Sequence, residues 1–161
     1  RLPAHQRPID LNWKCAALIR RSGIALPPNR TTGSMTLTVG VDIIDVSRVQ
    51  AILDRHQARF LTRVYTPQEV ADCQGQATSL AARWAAKEAV SKALGCGWDG
   101  IQWTEIEIVR TPHGQPLVSL HGAARTLAEQ MGLRQWAISL SHTAAYAVAF
   151  VVAQCVFGEN A

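Results

Sequence analysis

A chain of 161 residues, 48% of them hydrophobic, fits one ordinary domain with enough apolar side chains for a core. No apolar run reaches the roughly 18 residues that a membrane-spanning helix needs. The net charge of +4 and the pI near 9.2 do not describe a basic surface: residues 1–34 hold six basic groups and one acid, the rest ten basic and eleven acidic groups. Neither a nucleic-acid nor a membrane partner is expected of such a body.

The first 34 residues carry Pro3, Pro8, Pro27 and Pro28, little periodicity and a Thr31-Thr32-Gly33-Ser34 end. They are expected to be a non-core or disordered extension ahead of a domain at 35–157, with a tail at 158–161. Leu37, Val39, Val41 and Ile43 then alternate with Thr38, Gly40 and Asp42, the pattern of a half-buried strand. A helix is predicted over roughly 46–59, with Asp45 as its cap. Thr66-Pro67-Gln68-Glu69 has the form of a helix start, with cap, proline and an acid three residues on. The next helix, about 79–94, is alanine-rich, which favours helix and close packing; Ser79 is placed to start it and Gly95 to end it. Ile106 and Ile108 alternate with Glu105 and Glu107, the turn Pro112–Pro116 leads into Leu117–Leu120, a short helix follows at about 122–131, and strands at roughly 135–141 and 145–154 close the chain. The order β-α-α-β-β-α-β-β predicts an α+β fold with antiparallel sheet.

Cys15, Cys73, Cys96 and Cys155 are widely spaced, with no CxxC pair or zinc-type spacing, and read as buried thiols in a reducing compartment. The chemistry-bearing residues are few. Glu88 and Lys92, four apart, share a helix face, and Trp84 extends it. Taken by spacing alone, such a pair is most often a solvated ion pair. Asp42, amid apolar strand residues, needs a partner: a base, a cap or a metal. Ser141 and His142 end a strand, where they can bind phosphate or simply form a turn. Adjacent strand positions point apart and no GxSxG elbow exists, which argues against a serine hydrolase. Arg48, Arg55 and Arg59 fall near one helix face, a solvated face or a dock for an acidic protein.

Val39–Ile44, then Arg59–Arg63 with Thr66–Glu69, then Leu80–Gly97, then Ser139–Thr143 followed by Tyr146-Ala147 resemble, in order and spacing, the bacterial holo-[acyl-carrier-protein] synthases, the small 4′-phosphopantetheinyl transferases. The resemblance covers about residues 37–153, and its specific part is W-x-x-K-E-x-x-x-K, here Trp84, Lys87, Glu88 and Lys92. It implies the transferase fold and a cytoplasmic enzyme that moves 4′-phosphopantetheine from coenzyme A to a serine of apo acyl carrier protein, releasing adenosine 3′,5′-bisphosphate. The carrier, whether of fatty acid, polyketide or peptide synthesis, is left open. Asp42 and Glu88 are then the carboxylates for Mg2+, a cation that suits a few carboxylates with water and phosphate oxygens. Glu88 and Lys92 are the catalytic residues, the serine proton passing either to Glu88 or to a metal-bound water. Lys87, Lys92, Gly95, Ser141 and His142 would contact coenzyme A, and Arg48, Arg55, Arg59 and Phe60 the carrier. The resemblance also implies a homotrimer with active sites between subunits, Asp42 of one chain facing Glu88 of its neighbour or a related shared arrangement. Two other functions fit the same residues: an unrelated magnesium-dependent phosphate-ester enzyme, or a non-catalytic module that binds carrier proteins.

Overall fold

The structure, a computed structural model, describes residues 37–155. The extension at 1–34, Cys15 and the tail at 158–161 lie outside the described residues. Strand β1 (Leu37–Asp45) leads into three helices, α1 (Val46–Val64), α2 (Pro67–Cys73) and α3 (Ala77–Leu94). A short 3-10 turn (Trp103–Glu105) precedes the hairpin β2 (Ile106–Arg110) and β3 (Pro116–Leu120), and α4 (Gly122–Gln130), β4 (Leu133–His142) and β5 (Tyr146–Cys155) follow. One more helix than expected separates β1 from β2, because the Thr66–Glu69 start opens a short helix of its own. β1, β5 and β4 form one antiparallel sheet in that order, and β2 with β3 a second.

Local signals account for most boundaries. Asp45 caps α1, its Oδ1 accepting from the Ser47 N–H at 2.8 Å. Thr66 and Glu69 form a reciprocal capping box on α2. Gly95, at φ 69°, ends α3 in the left-handed conformation. Ser79 does not start α3: that helix begins two residues earlier, behind Gln76, which makes no side-chain cap. α1 is bent at His56, whose φ of −142° is not helical.

The first strand reverses the usual sense of its pattern. Leu37, Val39, Val41 and Ile43 are the outward residues, 54–65% exposed, while Gly40 and Ile44 are buried against α3. The register explains this. Cross-strand partners share a face, and Gly40, Asp42 and Ile44 pair with Val151, Ala149 and Ala147, all fully buried. Small residues on that face let α3 lie close. A β-carbon at Gly40 would stand 1.8 Å from the Ala89 carbonyl oxygen and 3.1 Å from the Ala93 nitrogen. Alanines on α3 and on β5 therefore meet with little between them, and α3 becomes the central buried element of the domain.

Candidate active site on the one exposed stripe of a buried helix

From Leu80 to Leu94 every residue of α3 is buried except Trp84, Glu88 and Lys92. These three stand four apart, so they form a single stripe along the helix. Beyond its first turn the helix thus reaches solvent only through an aromatic, a carboxylate and an ammonium.

Asp42 joins that stripe from the helix-facing side of β1. Its Oδ1 lies 2.8 Å from Lys92 Nζ, and the same ammonium donates to the Val41 carbonyl at 2.9 Å. Glu88 makes no hydrogen bond or ion pair with another described residue. Asp42 is thereby tied to the Glu88–Lys92 turn of its own chain, so an arrangement in which it faces only a neighbour's helix is not needed to bring it to this stripe. The donor set is sparse. No group of three or more His, Cys, Asp and Glu side chains able to hold a metal occurs among the described residues. Two carboxylates, one half-buried and without a partner, suit a hard cation that keeps water and ligand oxygens, and do not suit a closed zinc site.

Lys87 must be removed from the coenzyme contacts expected of it. It follows Trp84 by three and precedes Glu88, yet its side chain is 0% exposed. The ammonium lies 2.8 Å from Glu69 Oε2 and donates to the Trp103 carbonyl at 3.0 Å and to the Ile106 carbonyl. All three N–H groups are used inside the core, so none is left for a ligand. Burial pulls this ammonium below the usual lysine range, and the Glu69 carboxylate opposes that pull. Glu69 is also buried. It accepts from the Thr66 N–H at 2.8 Å and from the Ile108 N–H at 3.0 Å, joining α2, α3 and β2 at one point. The capping box is visible in the sequence, whereas the Lys87–Glu69 pair joins distant segments and is not. The available signal is the alanine-rich surround, Ala85-Ala86 and Ala89-Val90, which marks a helix packed on most sides, so that a lysine off the Trp84–Glu88–Lys92 face is buried and needs a carboxylate partner.

Phe60 is a second correction. It is buried, with its ring 5.6 Å from Tyr65 in an edge arrangement and 5.1 Å from Trp84. It supports Trp84 from beneath and has no free face for a carrier. Arg48, Arg55 and Arg59 are exposed as expected, although the bend at His56 separates Arg59 from the other two. Arg48 reaches furthest toward the stripe: its guanidinium carbon stands 5.6 Å from the centre of the Trp84 ring. Trp84 continues through Trp103, 5.7 Å away edge-on, to Trp98, stacked on Trp103 at 3.5 Å.

Ser141 and His142 are exposed at the end of β4 but point to opposite faces. His142 pairs with buried Ala147 and shares the helix side with Asp42. Ser141 pairs with Val148 and shares the outward face with Ile43. β5 lies between β4 and β1, so both residues sit about 10 Å from β1 by strand spacing, and one chain alone does not gather them with Asp42 and Lys92. Gly95 and Gly97 (φ 57°) shape the loop that leaves α3 just past Lys92, and Ser91 Oγ donates to the Gly97 carbonyl at 2.6 Å. Burial pushes the Cys73 thiol up to about 11, in keeping with a packing role.

A match to the 4′-phosphopantetheinyl transferase superfamily spans residues 38–151. The chain is similar to the holo-[acyl-carrier-protein] synthase of Herpetosiphon aurantiacus, 47% identical over an alignment of 123 residues, which covers 72% of this chain and 97% of that one. It is similar to that of Moorella thermoacetica, 48% identical over 127 residues, 77% of this chain and 98% of the relative. Its fold is similar to the crystal structure of the Helicobacter pylori holo-[acyl-carrier-protein] synthase in complex with coenzyme A. That match has a TM-score of 0.66 and 31% identity, and covers 71% of this chain and 98% of that one.

Proposed function

The chain belongs to the 4′-phosphopantetheinyl transferase superfamily, and from that premise we propose that it works as a magnesium-dependent holo-[acyl-carrier-protein] synthase. It transfers 4′-phosphopantetheine from coenzyme A to a serine of an apo acyl carrier protein and releases adenosine 3′,5′-bisphosphate. One observation carries the assignment of residues: from Leu80 onward the stripe through which α3 meets solvent bears Glu88 and Lys92, with Asp42 tied to it at 2.8 Å.

Asp42 and Glu88 would hold the Mg2+, which when bound supplies neutralisation of the diphosphate charge and of the leaving phosphate. Lys92 adds a mobile cation one turn beyond Glu88, half-exposed and long enough to follow the phosphates as charge develops on them. Glu88, free of any protein partner among the described residues, is the carboxylate available to accept the serine proton. The Gly95–Gly97 loop lets main chain approach the coenzyme, and His142 and Ser141 serve its phosphates.

Arg48 supports a carrier docked on α1, because it bridges that basic helix to Trp84 at the head of the stripe. The carrier thus approaches where its serine is needed, with Arg55 and Arg59 steering acidic groups. The outward row of Leu37, Val39, Val41 and Ile43, continued by Phe150 on β5, supports assembly of the chain with copies of itself. Ser141 opens onto that same face, which suits a homotrimer whose sites lie between subunits. No helix among the described residues is long and apolar enough to cross a membrane, and a cytoplasmic enzyme is the reading that fits its substrates.

The test is direct. Incubate the protein with apo carrier protein, coenzyme A and magnesium, with a parallel sample chelated by EDTA, and weigh the carrier by mass spectrometry. The phosphopantetheine adduct is expected only where magnesium is present, and light scattering of the enzyme should give a three-chain mass. An unmodified carrier under conditions where a known synthase modifies it would refute the proposal.

A further inference from the structure

The role given to Lys92 conflicts with where it stands. As a phosphate contact it should face the coenzyme, yet it is bound to Asp42, the carboxylate assigned to the metal, and to the carbonyl beside it. We infer that Lys92 is the resting counter-ion of Asp42, that a divalent cation must displace it, and that the displaced ammonium moves to the coenzyme's diphosphate, so that metal and coenzyme load cooperatively.

This inference rests on the metal site proposed above and adds a sequence of events to it. The ammonium stands 2.8 Å from Asp42 Oδ1, the place a cation takes on a carboxylate. A divalent ion on the same carboxylate, at about 2.0–2.1 Å, would lie so close to that ammonium that the two cations repel strongly. The lysine is the one able to yield. Its side chain is 51% exposed while that of Asp42 is 18% exposed, and its flexible stem leaves α3 in the last turn. Two of its three donors are engaged in this resting contact, and leaving it strands a charge in water at small cost. An incoming diphosphate changes the balance: it gives Lys92 a stronger partner and gives the cation its missing oxygen ligands. Each ligand therefore removes an obstacle to the other, and the coupling is reciprocal.

The experiment measures binding, not turnover. Mn2+ is titrated into the free protein and followed by electron paramagnetic resonance, first alone and then with coenzyme A present. Lys92→Met should bind Mn2+ about 2- to 5-fold more tightly than the wild type in the absence of coenzyme, the range for loss of a solvent-accessible ion pair. Coenzyme A should then raise the Mn2+ affinity of this variant by a smaller factor than it raises that of the wild type. Lys92→Gln, checked for fold by circular dichroism, should behave alike. Unchanged or weaker Mn2+ binding in both variants would overturn the inference while leaving the metal site intact. Asp42→Asn separates the two levels: it should abolish tight Mn2+ binding, and if it does not, the metal assignment falls and the displacement with it.

Discussion

Replacing Lys87 by methionine discriminates a core lysine from a coenzyme contact. The thioether keeps most of the volume of the stem and removes only the charge. Three partners lose their donor: Glu69 at 2.8 Å, the Trp103 carbonyl at 3.0 Å and the Ile106 carbonyl. Glu69 stays buried, held only by the Thr66 and Ile108 N–H groups. Breaking a buried pair from one side costs about 3–5 kcal/mol, against a total stability of about 5–15 kcal/mol for a domain. The melting temperature should fall by roughly 10–20 °C for a domain of this size, read by calorimetry at one fixed protein concentration. The double variant Lys87→Met with Glu69→Gln should lose less than the sum of the two single losses, by about 0.5–3 kcal/mol. At temperatures where the variant is folded, its KM for coenzyme A should match the wild type. A stable Lys87→Met protein with a tenfold higher KM for coenzyme A would refute the structural role and return Lys87 to the site.

Gly40→Ala places a methyl 1.8 Å from the Ala89 carbonyl oxygen, which is main chain and cannot turn aside; urea unfolding should show a loss of about 1–3 kcal/mol, and kcat should fall because β1 carries Asp42 away from α3. Normal stability would mean that the sheet and helix are not in such close contact. Arg48→Glu should raise KM for the carrier about tenfold, mainly at low salt, with KM for coenzyme A unchanged; equal loss toward both substrates would remove the docking role of α1. Glu105 accepts from the Gln102 N–H at 2.9 Å and the Ala123 N–H at 3.0 Å, and those bonds hold its carboxyl below the usual range. A carboxylate depressed in the folded state adds stability above its unfolded pKa and loses it as pH falls through the folded one. Glu105→Ala should therefore flatten the acid limb of the stability–pH curve and cost about 1 kcal/mol at neutral pH; parallel curves for the two proteins would contradict this.

Much of this was legible in the residues themselves. The capping box, the Gly95 stop and the placing of Glu88 and Lys92 on one helix face follow from local rules, although the ion pair that spacing suggests does not form and Lys92 goes to Asp42 instead. What escaped was decided by packing between distant segments. β1 alternates as a half-buried strand should, yet its apolar row faces outward, because the buried row is chosen by α3, whose closeness only Gly40 permits. Lys87 looks like its neighbour Lys92 in sequence, and only the position of Glu69, eighteen residues earlier, turns one into a core ion pair and leaves the other at the surface. Phe60 sits among arginines on an amphipathic helix, where the resemblance makes it an apolar contact for the carrier, but the bend at His56 and the Trp84 ring claim it for the core. Ser141 and His142 are neighbours in sequence and on opposite faces in the sheet, which the two-residue period of a strand does predict; what it does not predict is which face meets α3.

The central claim is transfer to a carrier through the Asp42–Glu88 stripe, and the most direct measurement counts both products of one reaction. Modified carrier protein is quantified by mass spectrometry and adenosine 3′,5′-bisphosphate by chromatography, for the wild type and for Glu88→Gln of equal fold. The wild type should yield the two in a one-to-one ratio, and Glu88→Gln should yield neither at a measurable rate. Nucleotide released without modified carrier, or a Glu88→Gln protein that turns over normally, would contradict the account.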